Sequence, residues 1–224
     1  MRRPNVKFIA WFFGSLATVA LLTHLWHELQ VRRNAGINLS RADELASEGR
    51  DSEAIGYLLR YLILAPGDNE VLEKLAGLQQ RKGMLSQAYL TYENLARRLP
   101  ERADLRRELA RMALRLRRAS DAQAHLEPLL QASPDDGELL ALRAEALELT
   151  GTSNTEAREA YQKAIQVDPH QVDCYARLAE LLRTALKEEA EADRVMMQLV
   201  SKNPGSAKAF RLRGEYYLQK SRLA

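Results

Sequence analysis

The sequence predicts an all-α chain: a stack of antiparallel helix pairs, preceded by one apolar helix long enough to span a membrane. Three observations carry this reading. Prolines recur at intervals of 34 or 35 residues, two series of small residues are locked to them, and one stretch near the N-terminus bears no formal charge. The composition agrees, since 46% of the 224 residues are hydrophobic, 28% charged and only 6% aromatic, with the Ala, Leu, Glu and Arg that helices favour. A net charge of +3, from 33 Lys and Arg against 30 Asp and Glu, gives no support to a nucleic-acid partner.

Pro66, Pro100 and Pro134 stand 34 apart, and Pro169 and Pro204 follow at 35. Twelve residues before each lies an alanine: Ala54, Ala88, Ala122, Ala157 and Ala192. Ten residues after each comes Ala76, Ala110, Ala144, Ala179 or Gly214, and Ala42 extends that series backwards. Proline cannot continue a helix interior and disfavours helical geometry in the residue before it, so each proline ends a helix pair. The small residues mark where two helix backbones cross closely. Larger side chains fill the layers between, Leu58, Tyr92, Leu126, Tyr161 and Met196 four residues after each alanine, then Tyr61, Leu95, Leu129, Ala164 and Leu199. Spacings of three and four place them on one helix face. Gly49, Gly83 and Gly151 fall between the helices of their pairs, where glycine adopts a left-handed turn readily.

This pattern resembles the tetratricopeptide-repeat family over residues 35–224. The repeats run 35–68, 69–102, 103–136, 137–171 and 172–206, and the last two each carry one extra residue near Thr152–Thr155 and Lys187–Glu191. The fourth position, often aromatic in the family, holds Asn38, Leu72, Arg106 and Leu140 before turning aromatic at Tyr175 and Phe210. Pro128 falls inside a second helix and should kink it or leave one carbonyl unpaired. Residues 207–224 copy the first helix of a sixth repeat, with Phe210, Gly214 and Tyr217 in the inward-facing places. A truncated product or the N-terminal part of a longer array is expected, with a capping helix as the alternative.

Residues 1–7 form a short basic tail, 8–28 the apolar helix and 29–34 a linker. Phe8–Trp26 spans 19 uncharged residues, about 28 Å of helix against a hydrocarbon core of about 30 Å, with Trp11 and Trp26 near its ends. A single-pass signal anchor in a bacterial inner membrane is expected. The apolar run continues past the best cleavage position, Thr18-Val19-Ala20, and no cysteine is placed for lipidation. Arg2, Arg3 and Lys7 against Arg32 and Arg33 favour the repeat array outside the cytoplasm. Ala10, Gly14 and Thr18 are spaced for helix dimerisation within the membrane, giving an expected route to a homodimer.

The family resemblance implies a right-handed superhelix, an α-solenoid, whose first helices line a concave groove for extended peptides or helices of partner proteins. In this register the groove-facing side chains include Lys74, Arg81, Arg107, Arg111, Arg115, Glu145, Glu148 and Glu180. The five basic residues are the candidate partner-binding set. Arg97–Arg118 packs nine arginines against Glu101, Asp104 and Glu108, and Arg107, Arg111 and Arg115 recur every four residues as a stripe. The plain reading is a solvated face with local ion pairs; the sharper one is a docking patch for an acidic partner segment. A carboxylate clamp for a chaperone tail is excluded, because Leu39, Asp43, Glu73 and Gly77 stand where Lys and Asn would be needed.

Catalysis has no visible basis here. There is no Gly-rich phosphate loop and no nucleophile–base set, and no cofactor is implied. His24, His27 and Glu28 do not make a metal site. The single cysteine, Cys174, cannot form an internal disulfide and reads as a buried small hydrophobe, while His125 and His170 read as surface residues. The function expected is therefore a membrane-anchored protein–protein interaction scaffold. The alternative is the N-terminal part of a longer protein whose effector or catalytic domain lies beyond residue 224.

Overall fold

The computed structural model describes residues 6–151 and 153–223, and among them the regular structure is entirely helical. In chain order the helices are α1 Val6–Ser47, α2 Asp51–Leu64, α3 Asn69–Arg81, α4 Leu85–Arg98, α5 Ala103–Arg115 and α6 Ala119–Ala132. They continue with α7 Gly137–Thr150, α8 Asn154–Val167, α9 Val172–Thr184, α10 Glu189–Lys202 and α11 Ala207–Leu223. The chain divides into two compact units, 1–91 and 92–224, with the division inside α4. In the first, α1 packs on α2 and α2 on α3. In the second, each helix from α5 to α10 packs on the next, α5 also meets α7, and α11 lies against α9 and α10.

The helix ends follow from the prolines. Ala65, Ser133, Asp168 and Asn203, each just before a proline, leave helical geometry with φ between −129° and −141°. Their N–H groups still reach back to the carbonyls of Tyr61, Leu129, Ala164 and Leu199 at 2.9–3.1 Å. Two residues after the proline, the next helix is capped: Asp68 accepts from the Val71 N–H, Asp136 from Glu138 and Leu139, and Ser206 from Ala209. Pro128 sits within α6 without ending it.

Within each pair the chain reverses through one left-handed residue. Gly49, Gly83 and Gly151 have φ of 75°, 75° and 63°. The same place is held by Arg117 (φ 57°) and Lys187 (φ 60°), which lack glycine's freedom. In the first three turns the residue after the left-handed position bonds a carbonyl five residues back: Arg50 to Leu45, Met84 to Gln79 and Arg118 to Ala113. In the fifth, Glu188 reaches six residues back to Leu182, because the extra residue lies before Lys187. In the fourth, it lies between Gly151 and the Ser153 cap of α8, at residue 152, outside the described residues.

The interior is built as the spacing implies. Ala54, Ala76, Ala88, Ala110, Ala122, Ala144, Ala157, Ala179 and Ala192 have no exposed surface, and Leu58, Leu126, Tyr161, Met196 and Leu199 are buried beside them. Cys174 is buried, as expected of a small hydrophobe. Among the described residues of the first unit, Asp51 is the buried charge. It is 7% exposed and accepts a hydrogen bond of 2.7 Å from Nε of Arg81, which crosses from α3 to α2.

The N-terminal expectation is corrected. Among the described residues, no helix is long and apolar enough to cross a membrane. The membrane anchor over 8–28 and the bacterial inner-membrane location with the array outside the cytoplasm are therefore not upheld. The helix α1 runs unbroken for 42 residues from Val6 to Ser47, through the expected linker 29–34 and past Arg33, into the first helix pair. The basic tail falls mostly on residues 1–5, outside those described. With the span goes the basis for a dimer through Ala10, Gly14 and Thr18; the side chains of the first two also lie outside the description.

The C-terminal helix departs too. Phe210, Gly214 and Tyr217 do not face the interior but are exposed, while Ala209 and Tyr216 carry the packing of α11. In α9 the equivalent Tyr175, Ala179 and Leu182 are buried in the cluster that α10 completes with Ala192, Val195, Met196 and Leu199. No described helix covers that side of α11.

Two outcomes follow from these contacts. Around Gly83 a Cβ would meet nothing within 4 Å, so Gly83→Ala suffers only from the positive φ. Urea unfolding should show it destabilised by about 1 kcal/mol. Arg117→Gly should move the midpoint the other way by less, since glycine's unfolded-state freedom offsets part of the strain relief. The Arg81 hydrogen bond holds the Asp51 carboxyl below its usual range. A lowered carboxylate contributes stability above its unfolded pKa of about 4 and loses it as pH falls through the folded value. Unfolding midpoints between about pH 5 and 2 should show this loss, and Arg81→Met should flatten that part of the profile.

Candidate partner-binding surface

The five basic residues singled out by the sequence lie on α3 and α5, and four of them are already engaged. Lys74 Nζ reaches Asp43 Oδ1 of α1 at 2.8 Å, and Arg81 holds Asp51. On α5, Arg107 pairs with Asp136 at 2.8 Å and with Glu138 at 2.6 Å, both at the start of α7. Arg111 adds Glu138 and, at 2.9 Å, Glu108 on its own helix. Arg115 is exposed, and its side chain makes no ion pair among the described residues. The four-residue stripe thus faces α7 for its first two members and solvent for the third.

These contacts set the local electrostatics. Burial opposes ionisation of Asp136 and Glu138, but the guanidinium hydrogen bonds from Arg107 and Arg111 outweigh it and hold both carboxyls below their usual range. Asp136 serves twice, as the cap of α7 and as an acceptor for Arg107. Pairs at this partial exposure are worth up to about 1 kcal/mol each, so they orient neighbouring helices more than they stabilise them.

The pattern repeats along the second unit. Arg177 of α9 reaches Glu145 of α7 at 2.8 Å and Glu148 at 3.7 Å, and Lys208 of α11 reaches Asp173 of α9 at 2.6 Å. Between α7, α9 and α11 these first helices leave a depression of about 410 Å³. Glu148, Arg177, Glu180, Leu212, Glu215 and Tyr216 line it, with the buried Met196 beneath. Glu148 is steadied from below by the Tyr161 hydroxyl, which donates at 2.7 Å and which burial keeps protonated.

Sequence reasoning placed Glu148 and Glu180 on this face correctly and missed Arg177, Leu212, Glu215 and Tyr216. A signal existed for the first: oppositely charged residues separated by about one repeat, as in Lys74–Asp43, Arg107–Glu138 and Arg177–Glu145. Tyr216 is buried where Leu181 is one repeat earlier, a second packing position that the small-residue and aromatic series did not mark.

Among the described residues no group of three or more His, Cys, Asp or Glu converges as a metal site. Burial pushes the Cys174 thiol up to about 12, leaving it protonated at neutral pH. His125 is half-buried rather than fully at the surface, and burial lowers its pKa, whereas His170 is exposed with Nδ1 3.1 Å from Asn203 Oδ1.

No family model matches the chain, and no curated protein does. Solved structures do. A MamA chain from Desulfovibrio magneticus shares 17% identity at a TM-score of 0.65, covering 78% of this chain and 97% of its own. YrrB, described as a TPR protein with an unusual peptide-binding site, shares 16% identity at a TM-score of 0.61, covering 79% and 90%. A tetratricopeptide repeat protein from Parabacteroides merdae shares 18% identity at a TM-score of 0.64, covering 84% and 74%. Identity at this level speaks for the fold alone. The periodic helix pairs and these three likenesses agree: the chain has the tetratricopeptide-repeat fold.

Proposed function

We propose that this chain is a protein–protein interaction scaffold whose first helices receive a segment of a partner protein. The observation that carries the reading is the depression between α7, α9 and α11, an open hollow with apolar side chains in the floor and charged groups at the rim. Its size lies within the range of ligand-binding clefts. The similarity to a structure described as a peptide-binding TPR protein supports the same reading.

The chemistry of the partner follows from which charges are already used. Carboxylates outnumber cations in the lining of the hollow, with Glu148, Glu180 and Glu215 against Arg177, and Arg183 and Arg211 on the same helices pair with Glu180 and Glu215. It suits a helix or extended segment bearing an apolar side chain for Leu212 and Tyr216 and a basic one for the rim. The acidic segment that the arginine stripe suggests would meet Arg115 first. It would then have to exchange with Asp136 and Glu138 for Arg107 and Arg111, and with Asp43 and Asp51 for Lys74 and Arg81.

Site-specific photo-crosslinking in the native cell separates these cases. A crosslinker at Gln219, on the rim of the hollow, should give one discrete adduct, and one at Gln131 on α6 should give none. Ala176→Arg, which fills the hollow, should lower adduct yield about tenfold, equivalent to ~1.4 kcal/mol of binding. An adduct insensitive to Ala176→Arg but lost in Arg115→Glu would place the partner on the arginine stripe. Absence of any adduct from Gln219 would sink the reading.

A further inference from the structure

In the second unit α5 is covered by α6, α7 by α8 and α9 by α10. The covered face carries the small residue of each crossing, Ala110, Ala144 or Ala179, and none of the three has exposed surface. The corresponding stripe on α11 is Phe210, Gly214 and Tyr217, with Leu218 beside it. It lies open: Phe210 is 46% exposed, Tyr217 40% and Leu218 59%. A Cβ at Gly214 would meet nothing within 4 Å. Among the described residues of the second unit, the other exposed large apolar side chains are Val167 on α8 and Met197 on α10, so exposure is concentrated on this one face.

The opposite face anchors α11. Tyr216 is buried and donates to Asp193 at 2.9 Å, Lys220 reaches the same carboxylate at 2.7 Å, and Lys208 reaches Asp173 at 2.6 Å. Tyr217 stands edge-on to Tyr216, with ring centroids 5.2 Å apart. The open stripe is therefore presented on a helix held from behind. Charges flank it. On one side Arg211 pairs with Glu215 at 2.7 Å, and on the other the Arg213 guanidinium lies 5.4 Å from the centre of the Phe210 ring.

We infer that this face of α11 pairs with the same face of a second copy of the chain, antiparallel, with the two Gly214 residues at the twofold axis. A contact of this symmetry needs a patch complementary to itself, and this patch is. About an axis at Gly214 the residue four before meets the residue four after, so Phe210 of one copy faces Leu218 of the other. On the flanks Arg211 comes beside Glu215 of the other copy, and Arg213 beside Tyr217, an aromatic face like the one it already covers. A parallel pair would set Arg211 against Arg211 and Arg213 against Arg213, so the charges select the antiparallel arrangement. Glycine at the crossing lets the two backbones approach closely. One helix from each copy makes a small contact, so the association is reversible. Leu212 and Tyr216, which line the hollow described above, lie on the other face of α11, and the pairing stands or falls separately from that site.

Sedimentation velocity on the full-length chain should show a monomer–dimer equilibrium, and Phe210→Glu should raise its dissociation constant about tenfold or more. Cysteine pairs then read the geometry, since the native Cys174 is buried and out of reach. On mild oxidation Gly214→Cys alone should yield a disulfide-linked dimer, because an axial residue meets itself. Phe210→Cys alone should yield little, and Phe210→Cys together with Leu218→Cys should restore the yield. A chain that stays monomeric at every soluble concentration overturns the inference. So does an association that Phe210→Glu leaves unchanged, the result expected if the exposed apolar residues of α1 drove it. Crosslinking through Phe210→Cys alone as efficient as through Gly214→Cys would mean a parallel pair and overturn it as well.

Discussion

Each helix pair depends on one geometric constraint: its two helices must approach closely where both carry alanine. Ala54, Ala88, Ala122, Ala157 and Ala192 on the second helices, and Ala76, Ala110, Ala144 and Ala179 on the first, are buried to the last atom. Interiors pack at crystal density, so an added methylene at such a crossing has no free volume to enter and must push backbone apart. Separation would in turn open the layers of Leu58, Leu126, Tyr161, Met196 and Leu199 that the crossing closes. The proline and the left-handed residue serve this constraint. They fix where each helix stops, and so which residues meet.

Alanine buries little apolar area, so a core built around it gains modestly per residue. Neighbouring pairs must then be held in register by something beyond the crossings. In the second unit, Arg107, Arg111, Arg177 and Lys208 each tie one first helix to an adjacent one. Asn203 does the equivalent work at the turns, donating from Nδ2 to the Pro169 carbonyl at 2.9 Å and to the Leu199 carbonyl at 3.0 Å. The side chains that look available for a partner in sequence are thus the ones the array uses to align itself. The hollow left between aligned helices is the place proposed above for a partner segment.

This division explains what the sequence reveals and what it conceals. Helix ends, buried alanines and the glycine turns are local consequences of residue type, so Pro66, Ala54 and Gly83 announce them. Arg117 and Lys187 occupy the same left-handed turn with no signal in their chemistry, because the surrounding helices impose the conformation. The arginine stripe is visible at Arg107, Arg111 and Arg115, but the acceptors of the first two on α7 and its cap lie 27 to 31 residues away and depend on how successive pairs are rotated. Apolar composition at 8–28 likewise said nothing of the continuous helix in which those residues sit. Composition is local; continuity is not.

Repetition also tells where individuality can reside. A position that must pack identically in every repeat tolerates little variation, as the alanine series shows. The fourth position varies from Asn38 and Leu72 through Arg106 and Leu140 to Tyr175 and Phe210, so the array fixes neither its volume nor its polarity. At Tyr175 the variation places a hydroxyl in a dry interior, where other tyrosines are met by a carboxylate and this one is not.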